Sequence, residues 1–299
     1  MRIFVLASLV AVLIVGSAGV ASADTPPCGE DFNVGAGRFY SQTGGGTGLG
    51  YNIYDDESAQ FWTAFTSMGG ISVLGYPVSE RFEWRGFQVQ AFQKAVLQWD
   101  PSKNGVNVAN LLDTMYETGM DGWLGTARFV PPHQALPEDT GADWPTVVQN
   151  HLRILEANPE VRDAFLAIPQ WQTRLGLPIA YSDFGAVRVL RAQRAVLQQW
   201  TNDTPWSRAG QVIFANVGDM AKDVGMFPAE VIAPVAARVP TDLAGLIALD
   251  PATPRPGDSV EITINAGHAN SSLTWATTAL PLVCQGGAWH SLVGLPSTL

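Results

Sequence analysis

Cysteine is nearly absent from this chain, with two residues in 299, and histidine is scarce, with four. Two cysteines cannot build a disulfide framework of the kind that staples small secreted domains. Neither has another Cys or a His at zinc-motif spacing, so a structural zinc site on them is excluded. His133, His151, His268 and His290 fall in no H-E-x-x-H, no H-x-H and no H-x-x-x-D pattern. Basic residues are also few: 17 Lys and Arg stand against 27 Asp and Glu, a net charge of −10. That is the opposite of a phosphate-neutralising surface, so nucleic acid is not an expected partner. No G-x-S-x-G, S-x-x-K or Walker-type loop occurs. The glycine run at Gly44, Gly45, Gly46, Gly48 and Gly50 lacks the lysine that would reach a phosphate.

Long apolar runs are missing too, apart from one at the N-terminus. Met1-Arg2 precedes an apolar stretch from Ile3 to Val15, and small residues close on Ala21-Ser22-Ala23. One cation, a short apolar core and an A-x-A site predict an export signal over residues 1–23, too short to span hydrocarbon. Its removal would leave 276 residues, net charge −11 and no membrane span. The expected location is therefore extracellular, associated with the cell surface. In an oxidising compartment Cys28 and Cys284 are a candidate disulfide tying the chain ends together, or else two independent thiols.

What is present is an internal repeat. Residues 74–99 and 175–200 match at Leu74/Leu175, Gly75/Gly176, Pro77/Pro178 and Gly86/Gly185. They match again at Gln93/Gln193, Ala95/Ala195, Val96/Val196, Leu97/Leu197, Gln98/Gln198 and Trp99/Trp200. A spacing near 100 residues exceeds a solenoid period and reads as a duplicated unit. In each copy a Gly-x-Pro turn leads into alternating apolar and polar positions, the pattern of a β-hairpin. Helical spacing precedes each turn: Phe61, Trp62, Phe65 and Met68 capped by Asp55 or Asp56, and Val161, Phe165 and Ile168 behind Asn158-Pro159. Val108, Leu111, Leu112 and Met115 predict another short helix ending at Gly119.

The expected fold is α+β: two related small α+β units followed by an incomplete all-β segment of Ig-like sandwich character. The first unit spans 24–130, a connector 131–145, and the second unit 146–227. A Pro/Ala-rich linker over 228–242 leads to the β segment at 243–299. About five short strands fit there, fewer than the roughly seven of an Ig-like sandwich.

Ten tryptophans are a high count. Trp123, Trp144, Trp171 and Trp206 crowd loop-rich stretches, and flat amphipathic rings suit stacking on sugars or peptides, making these four the candidate ligand-binding residues. Trp99 and Trp200 end apolar runs and are expected to anchor cores. Glu80 and Glu83 flank the first hairpin without a matching pair in the second copy, so no acid/base pair is selected. Arg188, Arg191 and Arg194 read as solubilising charges on a hairpin edge. Catalytic residues, metal ligands and cofactors are expected to be absent.

The two Leu-Gly-x-Pro turns, each followed by a Gln-rich hairpin ending in Trp, resemble the LGFP-type repeats of exported bacterial proteins. That resemblance implies cell-surface association through cell-wall polysaccharide or another envelope component. The stretch from Leu249 to Pro296 looks like the β-domain that precedes lysostaphin-like zinc peptidases. It implies an alternative: the N-terminal portion of a secreted peptidoglycan-cleaving metallopeptidase whose catalytic domain lies outside this chain. No position here matches that family's zinc ligands.

Overall fold

The structure is a computed structural model describing residues 31–46, 49–238, 247–264, 273–275, 278–285 and 288–295. The expected signal segment, Cys28 and His268 lie outside the described residues. So does the C-terminal end of the expected linker, residues 239–242. Helices and antiparallel sheets alternate along the chain, an α+β architecture.

A three-stranded meander comes first: β1 (Phe32–Asn33), β2 (Gly37–Tyr40) and β3 (Tyr51–Tyr54). The chain continues into α1 (Phe61–Ser67) and α2 (Gly70–Leu74). The Asp55 carboxylate accepts from the N–H groups of Trp62 (2.7 Å) and Thr63 (3.1 Å), so the expected acidic cap forms from six residues upstream of the helix. Phe61 and Phe65 then point inward and meet Phe92, Trp99 and Leu97.

The first four-stranded sheet follows, β4 (Phe82–Trp84), β5 (Phe87–Ala91), β6 (Val96–Asp100) and β7 (Gly105–Val108), in sequential antiparallel order. It runs into α3 (Leu111–Glu117) and α4 (Asp121–Arg128). After residues 131–143 come α5 (Trp144–Leu152), α6 (Pro159–Leu166) and α7 (Trp171–Arg174). The Asn158 side chain caps α6 by accepting from Val161 N–H at 3.1 Å, with Pro159 at the first helical position as expected. A second four-stranded sheet has the same sequential order: β8 (Pro178–Asp183), β9 (Val187–Ala192), β10 (Val196–Trp200) and β11 (Val212–Phe214). It leads to α8 (Val217–Asp223) and the short α9 (Ala229–Ile232).

The registers of the two sheets correspond strand for strand. Val89 faces Gln98 as Val189 faces Gln198, and Leu97 faces Val108 as Leu197 faces Phe214. Each Leu-Gly turn is braced by a glutamine. Gln93 Oε1 accepts from Tyr76 N–H at 3.0 Å, and Gln193 Oε1 accepts from Leu177 N–H at 2.9 Å. Glycine is required in both turns: φ is +75° at Gly75 and Gly176, and a Cβ would lie 2.7 and 2.6 Å from the glutamine Cβ.

Register alters one sequence match. Trp99 corresponds to Gln199, not Trp200, because the second run carries one extra residue. Side chains alternate across a strand, so that single step puts the two tryptophans on opposite faces. Trp99 is buried with Phe61, whereas Trp200 is half-buried on the other side.

The largest core is shared by both sheets. Val89, Ala91 and Val96 from the first meet Val187, Val189 and Val196 from the second, with α3, α4 and α8 closing it. The expected connector is joined to this arrangement at its start: next to the fully buried Val130, the Pro131 carbonyl accepts from Arg191. The stretch after α9, assigned by composition to a linker, instead packs back on the N-terminal meander. Gly50 and Val235 exchange backbone hydrogen bonds at 2.8 Å, and Tyr51 Oη donates to Ile232 O at 2.6 Å.

The C-terminal segment carries six described strands: β12 (Ile247–Asp250), β13 (Ser259–Ile264), β14 (Leu273–Trp275), β15 (Thr278–Leu280), β16 (Val283–Gln285) and β17 (Ala288–Gly294). They form a four-stranded sheet, β12-β13-β17-β16, and a β14-β15 hairpin, all antiparallel. Val260 and Ile262 are its buried apolar residues.

Candidate functional site: two corresponding clefts

Two large clefts open where the sheets meet the helices. The first, about 820 Å³, has its aromatic side at the β4-β5 hairpin, where Trp84 and Phe87 lie beside Arg85. Gln98 and Asn107 lie on the sheet, and Asn110, Asp113, Thr114 and Glu117 come from the entry and body of α3. Gln172, Thr173 and Arg194 reach in from the second half of the chain.

The second cleft, about 850 Å³, is lined at corresponding positions by Gln198, Phe214, Ala215, Asn216, Asp219, Met220 and Asp223. Lys94 from the first half stands where Arg194 stands in the first cleft. Its aromatic side is Phe129, Trp200 and Trp206, with Trp206 edge-on to Trp200 at 5.7 Å between centroids.

Local sequence explains the likeness. Each sheet's last strand runs into Ala-Asn-x-x-Asp, at residues 109–113 and 215–219. The helical turn then sets Asn and Asp on one side, three residues apart. The Asn216 amide donates to Asp219 at 2.9 Å. In the other cleft Asn110 Oδ1 accepts from Arg194 Nε at 2.6 Å, and Asp113 Oδ2 accepts from Gln193 at 3.3 Å. Burial pushes both Asp113 and Asp219 above the ordinary aspartate range. Asp113 Oδ1 has no partner. An ion pair closes one side of each cleft, Arg85 with Glu117 (3.3 Å) and Arg128 with Asp223 (2.6 Å).

The halves reach into each other's clefts. Gly218 N–H donates to Gln93 O at 2.8 Å, so α8 rests on the first half's tight turn. A Cβ at Gly218 would stand 1.8 Å from Phe92 O, an approach that only glycine permits.

Of the four tryptophans singled out from the sequence, Trp206 lines a cleft and is 62% exposed. Trp144 is equally open, at 61%, but opens α5. Trp123 packs on the shared core with Arg128 over its ring at 4.9 Å. Trp171 packs on Phe165 at 5.3 Å. The Asn and Asp of each cleft escaped sequence reading, although the doubled Ala-Asn-x-x-Asp was there to find.

Other singled-out groups serve the fold. Glu80 is pushed upward by burial and accepts from Asn52 N–H at 2.6 Å. His151 Nε2 lies 2.9 Å from Asp139, its other nitrogen contacting Pro178 O. His133 stacks on Tyr116 at 4.2 Å, and His290 lies 2.9 Å from Glu261. Arg191 overturns the reading of an edge charge, because it shares the face of Val187 and Val189 and is fully buried. Cys284 lies on β16, while its candidate partner Cys28 falls outside the described residues.

Among the described residues no group of three His, Cys, Asp or Glu could hold a metal ion, and no helix is long and apolar enough to cross a membrane. No family model matches the chain, and no curated protein is similar to it.

Proposed function

We infer that this is an exported, non-catalytic, envelope-associated protein that binds cell-wall glycan through two duplicated units. The observation that carries the reading is the pair of clefts, nearly equal in volume, lined at corresponding positions by amides and carboxylates and each flanked by aromatic rings from its own surroundings. Aromatic faces suit the apolar faces of sugar rings, and planar amide and carboxylate groups suit pairs of hydroxyls. Two sites on one body favour a repeating polymer, since the second contact becomes intramolecular and gives avidity without new chemistry. The export signal and the LGFP-like turns agree with that location. In this reading the C-terminal strands are a shortened Ig-like sandwich that serves as a spacer.

The test is co-sedimentation of the mature chain with isolated, protein-free cell wall. Trp84→Ala and Trp206→Ala, one per cleft, should each weaken retention about ten-fold, and together abolish it. Retention unchanged in the folded double variant would refute the clefts as the binding sites. No retention of the native chain would refute the reading itself.

A further inference from the structure

The two clefts correspond in lining but differ in how their charges are used. In the first, Arg194 Nε donates to Asn110 Oδ1 at 2.6 Å, and Nη1 donates to Gln172 O and Thr173 O at 2.7 Å each. All three acceptors are uncharged oxygens, and among the described residues Arg194 forms no ion pair. Its Nη2 takes no part in these bonds. Burial outweighs the pull of Asp113 and draws the guanidinium below the ordinary arginine range. The other charges of the lining are paired: Glu117 with Arg85 at 3.3 Å, and Lys103 with Asp100 at 3.2 Å. Asp113 keeps Oδ1 unpartnered, and burial shifts it toward its uncharged form. The first cleft therefore holds one cation without a counter-charge and one carboxyl group with a free oxygen. In the second cleft the corresponding groups are spent. Asn216 donates to Asp219 at 2.9 Å. Lys94, standing where Arg194 stands, sends Nζ to Ser72 O at 3.3 Å, outside that cleft's lining.

We propose that the first cleft selects an acidic sugar, taking the carboxylate of a uronic acid at Arg194 Nη2 and a hydroxyl of the same ring at Asp113 Oδ1, while the second cleft takes uncharged sugar. This selection rests on the clefts being glycan sites and names the unit that one of them prefers. A half-buried guanidinium held only by neutral oxygens has already lost much of its water, so a ligand that brings the missing negative charge gains a charge-assisted hydrogen bond at little further cost. One free cation matches the single charge of a carboxylate, whereas a phosphomonoester carries about −1.5 to −2 at neutral pH. Arg194 is thus the specificity-determining residue, and it is supplied to the first half's cleft by the second half of the chain.

Titration of the full mature chain with glucuronate, glucose and glucose 6-phosphate, followed by two-dimensional proton–nitrogen NMR, tests this. The Arg194 Nε–H and the Asn110 side-chain amide report on the first cleft, and the Asn216 side-chain amide on the second. At the first cleft glucuronate should bind about ten-fold tighter than glucose, the scale of one charge-assisted hydrogen bond, and glucose 6-phosphate should bind more weakly than glucuronate. At Asn216 glucuronate should have no advantage. Arg194→Gln should bring glucuronate down to the affinity of glucose at Asn110. Should that variant misfold, the comparison of the two clefts within the native chain decides alone. Equal affinity of glucuronate and glucose at the first cleft would overturn the proposal. So would the same preference at Asn216, a preference that survives in folded Arg194→Gln, or glucose 6-phosphate as the tightest of the three. If no sugar shifts the first-cleft signals while the chain still sediments with cell wall, this selection fails and the glycan reading stands; if sedimentation is lost as well, both fail.

Discussion

Arg191 has no exposed surface, yet its guanidinium is held at three points. Nη1 donates to Asp121 Oδ1 at 2.7 Å and to Pro131 O at 3.0 Å, and Nη2 donates to Leu112 O at 2.9 Å. The corresponding position in the first half is Ala91, so the anchor belongs to the second sheet alone. Removing one member of a buried ion pair strands the other, at a cost of about 3 kcal/mol or more. Arg191→Ala should therefore lower the urea-unfolding free energy by about 3 kcal/mol, and a loss under 1 kcal/mol would show that Asp121 and the two carbonyls find water instead.

Asp113 and Asp219 make a pH prediction at the same scale. Burial raises both pKa values above those of the unfolded chain. Each therefore binds its proton more tightly when folded. Its stabilising contribution is complete below the ordinary aspartate pKa of about 4 and is lost as pH rises through the raised folded value. Asp113→Asn should gain thermal stability relative to native at pH 7 and lose that advantage near pH 3. Melting curves of the two proteins at several pH values check the sign, and a constant difference would show that Asp113 does not titrate abnormally.

Among the elements, the braced Leu-Gly turns and the docking of α8 are the most constrained. Gly75→Ala and Gly176→Ala would each force a side chain into left-handed backbone, costing about 1–2 kcal/mol, and would press against the bracing glutamine as well. Gly218→Ala is predicted to be worse, because the new Cβ would stand 1.8 Å from the Phe92 carbonyl oxygen, a deeper overlap than the 2.7 and 2.6 Å to the glutamine Cβ atoms. Chemical denaturation of the three variants should rank Gly218→Ala the least stable. Hairpin 82–91 and helix α6 were legible from sequence because their signals are local: alternation about Arg85-Gly86, and a cap beside its own helix. The face of Trp200 was not legible. One extra residue in the second run flips it, and only the register across β10 and β11 reveals the step.

For the molecule as a whole, the shared core makes the two halves one folding unit. Leu111, Leu112 and Met115 of the first half are covered jointly with Val187, Val189 and Val217 of the second. A fragment of residues 31–130 would leave that apolar surface open to water. It is predicted to lack a cooperative transition, and calorimetry of the full chain should show a single peak for residues 31–238. Two resolved peaks separable at the 131–145 stretch would contradict this.

The division of labour between sequence and tertiary structure follows from range. Periodicity, caps and turn residues act within a few positions, so the sequence by itself marked α1, α3 and α6, the hairpin of each copy, the α+β class and the correspondence of residues 74–98 with 175–198. It also displayed Asn110, Asp113, Asn216 and Asp219 without saying that they belong together. Tertiary structure alone decided what each face meets. The partners of Arg191 lie 60 to 79 residues away in the chain, and Lys94 and Arg194 each complete the other half's cleft. Spacing can say which way a side chain points from its own strand. Its partner is chosen by which apolar surfaces must close together, and that choice is made only when both halves bury one core.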